Sequence, residues 1–185
     1  MSHSTIRFGT DGWRGVIDED FNEANVRLVA RAVAGYLHDT RPEGYGVLVG
    51  YDNRYKSEVF ARVVAEELAR CGLPTVISDR SLSSPALSFA VHYRKAQGGV
   101  MITASHNPPQ FNGFKFKANY GGSALPEITE QIESHLQRIL AGESSTAPSP
   151  AQLRAENLTD EYLQHLKTLV DLTRILEAGF SVVTD

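Results

Sequence analysis

The chain has 185 residues, 42% of them hydrophobic and 22% charged, which suffices for one domain with a substantial core and the beginning of another. A formal charge of −4 argues against a nucleic-acid or anionic-membrane partner and leaves room for a small anionic substrate. Its apolar runs are too short to span a bilayer, residues 1–5 lack the basic and apolar regions of a secretory signal, and a cytoplasmic location is expected.

Residues 8–15 read Phe-Gly-Thr-Asp-Gly-Trp-Arg-Gly, where the glycines permit tight turns and put Arg14 on a constrained loop, a setting in which a guanidinium suits phosphate. Asn22 caps a helix with Val26, Val29, Ala30, Val33 and Leu37 at helical spacing, closed by glycines at 44 and 46. The run Val47, Leu48, Val49 is continuous apolar, as expected of a strand covered on both faces. Ser57 is expected to cap a second helix carrying Phe60, Val63, Val64 and Leu68. That helix ends at Cys71 and Gly72; a lone cysteine excludes an internal disulfide, and Cys71 reads as a packed thiol. A strand over 74–77 follows, then a helix opened by Ser84 and Pro85, then a strand over 98–103.

The alternation of strands and helices predicts an α/β fold: a three-layer α/β/α sandwich around a mostly parallel, mixed sheet. After the strand ending at Thr103, Phe114 and Phe116 alternate with Lys115 and Lys117, so a short strand buries the aromatics and projects the lysines the other way. Pro126 opens a helix with Ile128, Ile132, Leu136 and Ile139. Residues 142–151 are rich in Ser, Pro and Gly. The organisation expected is a domain over 1–142, a linker over 143–157, and over 158–185 the incomplete start of a second α/β domain. In that last part Thr159 caps a helix and the apolar run 180–183 reads as a strand.

Residues 103–108, Thr-Ala-Ser-His-Asn-Pro, carry the chemistry. They set the hydroxyl of Ser105 beside the imidazole of His106 directly after a buried strand, and the end of such a strand is where ligands collect in open α/β sheets. Asn107 and the local backbone are candidate donors to phosphate. Ser105 lacks the Gly-x-Ser-x-Gly elbow of a serine hydrolase, since Ala104 and His106 flank it. A noncatalytic phosphate-binding or interaction module stays open.

Taken in order, the segments 8–15, 103–108 and 112–116 (Asn-Gly-Phe-Lys-Phe) resemble the N-terminal domain of the α-D-phosphohexomutase superfamily, over residues 6–142. Their wording is closer to the phosphoglucomutase/phosphomannomutase members, with the phosphoglucosamine mutase branch as the alternative. The resemblance implies isomerase chemistry of carbohydrate metabolism: interconversion of hexose 1-phosphate and hexose 6-phosphate through a phosphoserine at Ser105 and a bisphosphorylated sugar. It further implies that Arg14 and Lys115 serve catalysis and phosphate binding, that His106 assists proton movement, and that Asn107 and Arg54, in the segment Tyr51-Asp52-Asn53-Arg54, contact phosphate or support the serine loop. Glucose 1,6-bisphosphate is the implied activating donor and Mg²⁺ the implied metal, held by the phosphate of Ser105 and three aspartates. No Asp-Gly-Asp-Gly-Asp run occurs in the chain, and residues 18–20 (Asp-Glu-Asp) are no substitute. The remaining domains of a longer chain are therefore implied partners, and residues 1–185 alone are expected to be inactive.

Overall fold

The computed structural model describes residues 6–9, 12–143 and 149–184; Thr10 and Asp11 of the first motif, part of the expected linker and Asp185 lie outside them. In chain order the elements are β1 (Trp13–Val16), α1 (Glu23–Thr40), β2 (Val47–Tyr51), α2 (Ser57–Arg70), β3 (Thr75–Ser78), α3 (Ser84–Tyr93), β4 (Gly98–Ile102), β5 (Phe111–Ala118), α4 (Pro126–Leu140), β6 (Leu153–Glu156), α5 (Asp160–Leu169) and α6 (Leu172–Glu177). The strands form one six-stranded sheet in the order β1-β5-β4-β2-β3-β6. Its centre is parallel, β4 with β2 with β3 with β6; β5 pairs antiparallel with β4, and β1 pairs antiparallel with β5 at that side, so β5 alone runs against the rest.

The pleat explains the layers. Val47, Val49, Val100 and Ile102 point to one face with Phe114 and Phe116, where Val33 and Leu37 of α1, Phe60 and Val64 of α2, and Ile132 and Leu136 of α4 complete a core. Leu48 and Met101 point to the other face and pack with Leu87, Ala90 and Val91 of α3 and with Leu158. With both faces covered, β2 and β4 are buried along their whole length. None of the described helices is long and apolar enough to cross a membrane.

Local chemistry sets the element ends. Asn22 caps α1 as expected, its side chain accepting the Asn25 N–H. At α2 the cap is Lys56, in the left-handed region, while Ser57 is the first helical residue and turns its hydroxyl to Asp52. At α5 the expected capping by Thr159 falls to Asn157, whose Oδ1 accepts the N–H groups of Thr159 and Asp160 at 2.8 and 3.2 Å. Cys71 is half-buried at the end of α2, and burial pushes its thiol pKa up.

Two expectations about the C-terminal part are corrected. Residues 153–156, read as linker, form edge strand β6, in register with β3 from Thr75 opposite Leu153 to Ser78 opposite Glu156. A strand at the rim of a sheet needs only its backbone ladder, so its largely exposed Leu-Arg-Ala-Glu sequence carries no apolar alternation to read. Conversely, residues 180–183 are not a strand: no strand among the described residues lies beside them, and Phe180, Val182 and Val183 are exposed.

Candidate active site

Ser105 stands three residues beyond the end of β4, exposed, on a turn that begins with buried Thr103 and Ala104. Its φ of 58° lies in the left-handed region, which costs a residue with a Cβ about 1 kcal/mol and persists only where the surroundings fix it. Two bonds donated by backbone amides do so from within the turn, one to a side chain and one to a carbonyl. The Ser105 N–H donates to Thr103 Oγ1 at 2.9 Å, and the Asn107 N–H to the Ala104 carbonyl at 3.1 Å. These two amides donate within the turn. His106 Nδ1 lies 3.4 Å from Ser105 Oγ, at the outer limit of a hydrogen bond.

Arg54 fixes the turn from outside. Its Nη2 donates to the carbonyls of Ser105, at 2.6 Å, and Asn107; its Nη1 donates to those of Pro108 and Phe111 at 3.1 and 3.2 Å. Nε faces Asp52 Oδ2 at 3.7 Å. A guanidinium has five N–H groups in one plane, and here that plane is the template around which residues 105–111 wrap. Of the two roles expected of Arg54, the bonds observed are those of supporting the serine loop: its Nη donors go to the carbonyls of residues 105–111.

Arg14 and Lys115 reach the same end of the sheet from the antiparallel side. Arg14 lies in β1 rather than on the expected loop, opposite Gly113 of β5, and it is exposed. Lys115 lies opposite Met101 of β4. Because directly paired residues share a face and alternate residues return to it, Arg14, Lys115, Met101 and Thr103 all project to the α3 side of the sheet. Ser105 follows two residues after Thr103, and the Thr103 N–H donates to the Gly113 carbonyl at 2.9 Å. The lysines project away from the aromatics as expected, yet Lys115 and Lys117 are each only 8% exposed, because the second helical layer covers that side too. Two glycines allow this approach. Gly12 has φ 112°, and a Cβ on it would stand 2.2 Å from the Phe114 carbonyl oxygen; a Cβ on Gly113 would meet the Thr103 carbonyl at 2.6 Å and Arg14 Cγ at 3.1 Å.

Thr103 and Gly113 were not among the residues singled out from the sequence. Their signal was present in the motif wording, but their roles, accepting one amide and leaving space, belong to the turn and the sheet register.

Among the described residues no group of three or more His, Cys, Asp or Glu side chains is placed to hold a metal ion. Asp18 is paired with Lys56 Nζ at 2.6 Å, a bond that also raises the lysine's pKa. A hard dication asks for about six oxygens, so the donors here do not make a Mg²⁺ site by themselves.

The layered sheet, with helices on both faces and an exposed serine turn at the end of a central strand, defines an α/β/α domain. The sequence profile described as phosphoglucomutase/phosphomannomutase, alpha/beta/alpha domain I, matches residues 5–143, and the chain belongs to that family. A phosphoglucomutase of Staphylococcus saprophyticus is 34% identical over 176 residues, which is 89% of this chain and 32% of that protein. A phosphoglucosamine mutase of Limosilactobacillus reuteri is 31% identical over 184 residues, 96% of this chain and 39% of that one. A solved structure of a phosphomannomutase-like protein from Thermus thermophilus superposes with a TM-score of 0.84 at 37% identity, covering 98% of this chain and 39% of that one. The chain thus spans about a third of the length of such relatives.

Proposed function

We propose that this chain supplies the phosphoryl-carrying part of a cytoplasmic phosphohexomutase of the phosphoglucomutase/phosphomannomutase type, which interconverts hexose 1-phosphate and hexose 6-phosphate. The observation that carries the reading is the Ser105 hydroxyl, exposed on a turn whose conformation is dictated by Arg54 and Thr103. A transferable phosphate needs an attachment point that is accessible yet held still, and this turn is both.

In the proposed cycle the bond between phosphorus and Ser105 Oγ breaks as phosphorus bonds to a hydroxyl of the sugar phosphate. The sugar hydroxyl gives its proton to Lys115 and Oγ recovers one from His106, so charge and atoms balance. The bisphosphorylated sugar reorients and returns its other phosphate to Oγ. Phosphoserine carries about −1.5 to −2 charge at neutral pH. Arg14 and Lys115, on the face leading to Ser105, offset that charge and orient the transferring group. His106, whose ring nitrogen neighbours Oγ, takes and returns the proton there. Asn107 offers its side-chain amide to phosphate. Glucose 1,6-bisphosphate loads the serine, and Mg²⁺ would supply charge neutralisation when bound; Ser105, through its phosphate, would contact the metal, with carboxylate ligands supplied by further domains. The sugar-selecting groups likewise belong to further domains, with no nucleic acid or membrane involved.

The test is Ser105→Ala in the protein that joins this chain to those domains. Turnover of glucose 1-phosphate or mannose 1-phosphate is expected to fall at least about 10⁴-fold with folding retained, since the covalent carrier is gone. Near-normal turnover in that variant would refute the proposal.

A further inference from the structure

Behind the serine turn lies a buried polar path that the cycle above leaves without a role. Asp52 Oδ1 accepts the Arg54 N–H at 3.0 Å and the Ser57 hydroxyl at 2.7 Å, while Oδ2 faces Arg54 Nε. Ser57, wholly buried, in turn accepts Asn112 Nδ2 at 2.9 Å. Asn112, also wholly buried, donates to the Tyr55 carbonyl at 3.2 Å and accepts the Gly113 N–H at 2.9 Å. Gly113 is the residue opposite Arg14, and its carbonyl receives the Thr103 N–H. One continuous path therefore runs from the β1–β5 register, through Asn112, Ser57 and Asp52, to the guanidinium that grips the Ser105 carbonyl.

We propose that Asp52, Ser57 and Asn112 are positioning residues that orient the Arg54 plane, and so hold Ser105 in register with Arg14 and Lys115. The proposal rests on reading Ser105 as the phosphoryl carrier. Apolar side chains would fill the same space without desolvating polar groups, whereas the directional bonds from Asn112 through Ser57 fix the Asp52 carboxylate, which accepts the Arg54 backbone N–H and faces its Nε as an ion pair at 3.7 Å. A guanidinium rotated in its plane loses its match to the carbonyls it serves, and the turn those carbonyls define loses its shape. Misplacement of a reacting group by about 1 Å can lower a rate about 100-fold.

The experiment uses the full-length enzyme with Ser57→Ala, Asp52→Asn and the double variant, assayed with glucose 1-phosphate and with the folded fraction measured by circular dichroism. Asp52→Asn keeps the shape and one acceptor, so it carries the test if Ser57→Ala does not fold. Each single variant is expected to lower kcat per folded molecule by about 10- to 100-fold with KM within about threefold of wild type. The double variant is expected to be about as slow as the slower single one, because both interrupt one path. A kcat within about twofold of wild type in the folded variants, or multiplicative losses in the double, would overturn the positioning role. Intact mass separates this from failure of the carrier reading: if the wild-type enzyme takes up no phosphate at Ser105, the carrier reading fails; if it does and the variants turn over normally, only the brace fails.

Discussion

At the scale of single residues, the geometry of Arg54 makes a sharp demand on its chemistry. Lysine keeps the charge but has one compact donor head in place of a plane serving four carbonyls. Arg54→Lys is therefore expected to lower kcat at least about tenfold and to cost about 1–3 kcal/mol of stability, read by assay and by denaturant unfolding. Unchanged kinetics would mean that the turn keeps its shape without the fork. Cys71 gives a second prediction, in pH. Its thiol pKa is raised by burial, helped by the nearby Glu67 carboxylate. The folded state holds the thiol proton more tightly than the unfolded state, so nothing is lost below the ordinary thiol range, and stability declines as pH rises through that range toward the raised folded value. Alkylation by iodoacetamide at pH 8 is accordingly expected to be much slower for native protein than for protein in denaturant; equal rates would contradict the packed environment. The sequence made Cys71's packing legible because a helical apolar pattern ends there. It did not reveal what Arg54 touches, because those partners are backbone carbonyls brought in from residues 105–111.

At the scale of elements, strands β4 and β5 and the helices beside them were readable from periodicity, whereas edge strands were not. The ladder of β1 with β5 rests on four residues in which Trp13 is the one large buried side chain, too short an alternation to read, and β6 is nearly all exposed. Their importance emerges from contacts. Gly113→Ala places a methyl against the Thr103 carbonyl and Arg14 Cγ, which displaces β1 from the serine strand. A cost of about 1–3 kcal/mol and a fall in turnover larger than the lost folded fraction are expected, measured by thermal unfolding and by assay. Arg94 ties β6 and α5 to α3 through Glu156 at 2.7 Å, Glu161 at 2.8 Å and the Asn157 carbonyl at 3.0 Å, while Phe89 stacks on His165. Arg94→Ala is expected to cost about 1–2 kcal/mol, discounted because the cluster is partly solvated, and to speed amide hydrogen exchange in α5 ahead of the central strands. Uniform exchange changes across the sheet would contradict a local clamp.

At the scale of the whole molecule, the layers follow from two apolar faces that alternate along β2 and β4, and this is why the α/β/α class was legible from sequence. What the linear pattern hid is that the segment beyond 152 returns to the same sheet, adding β6 at its rim and Leu158 beneath α3. The serine turn thus sits on a body braced from both ends of the chain. The most direct measurement of the central claim is intact mass combined with peptide mapping after incubation of the full-length protein with glucose 1,6-bisphosphate. One phosphate, located on Ser105 and discharged when hexose monophosphate is added, is the result expected; an unmodified Ser105, or a phosphate there that substrate never removes, would contradict it.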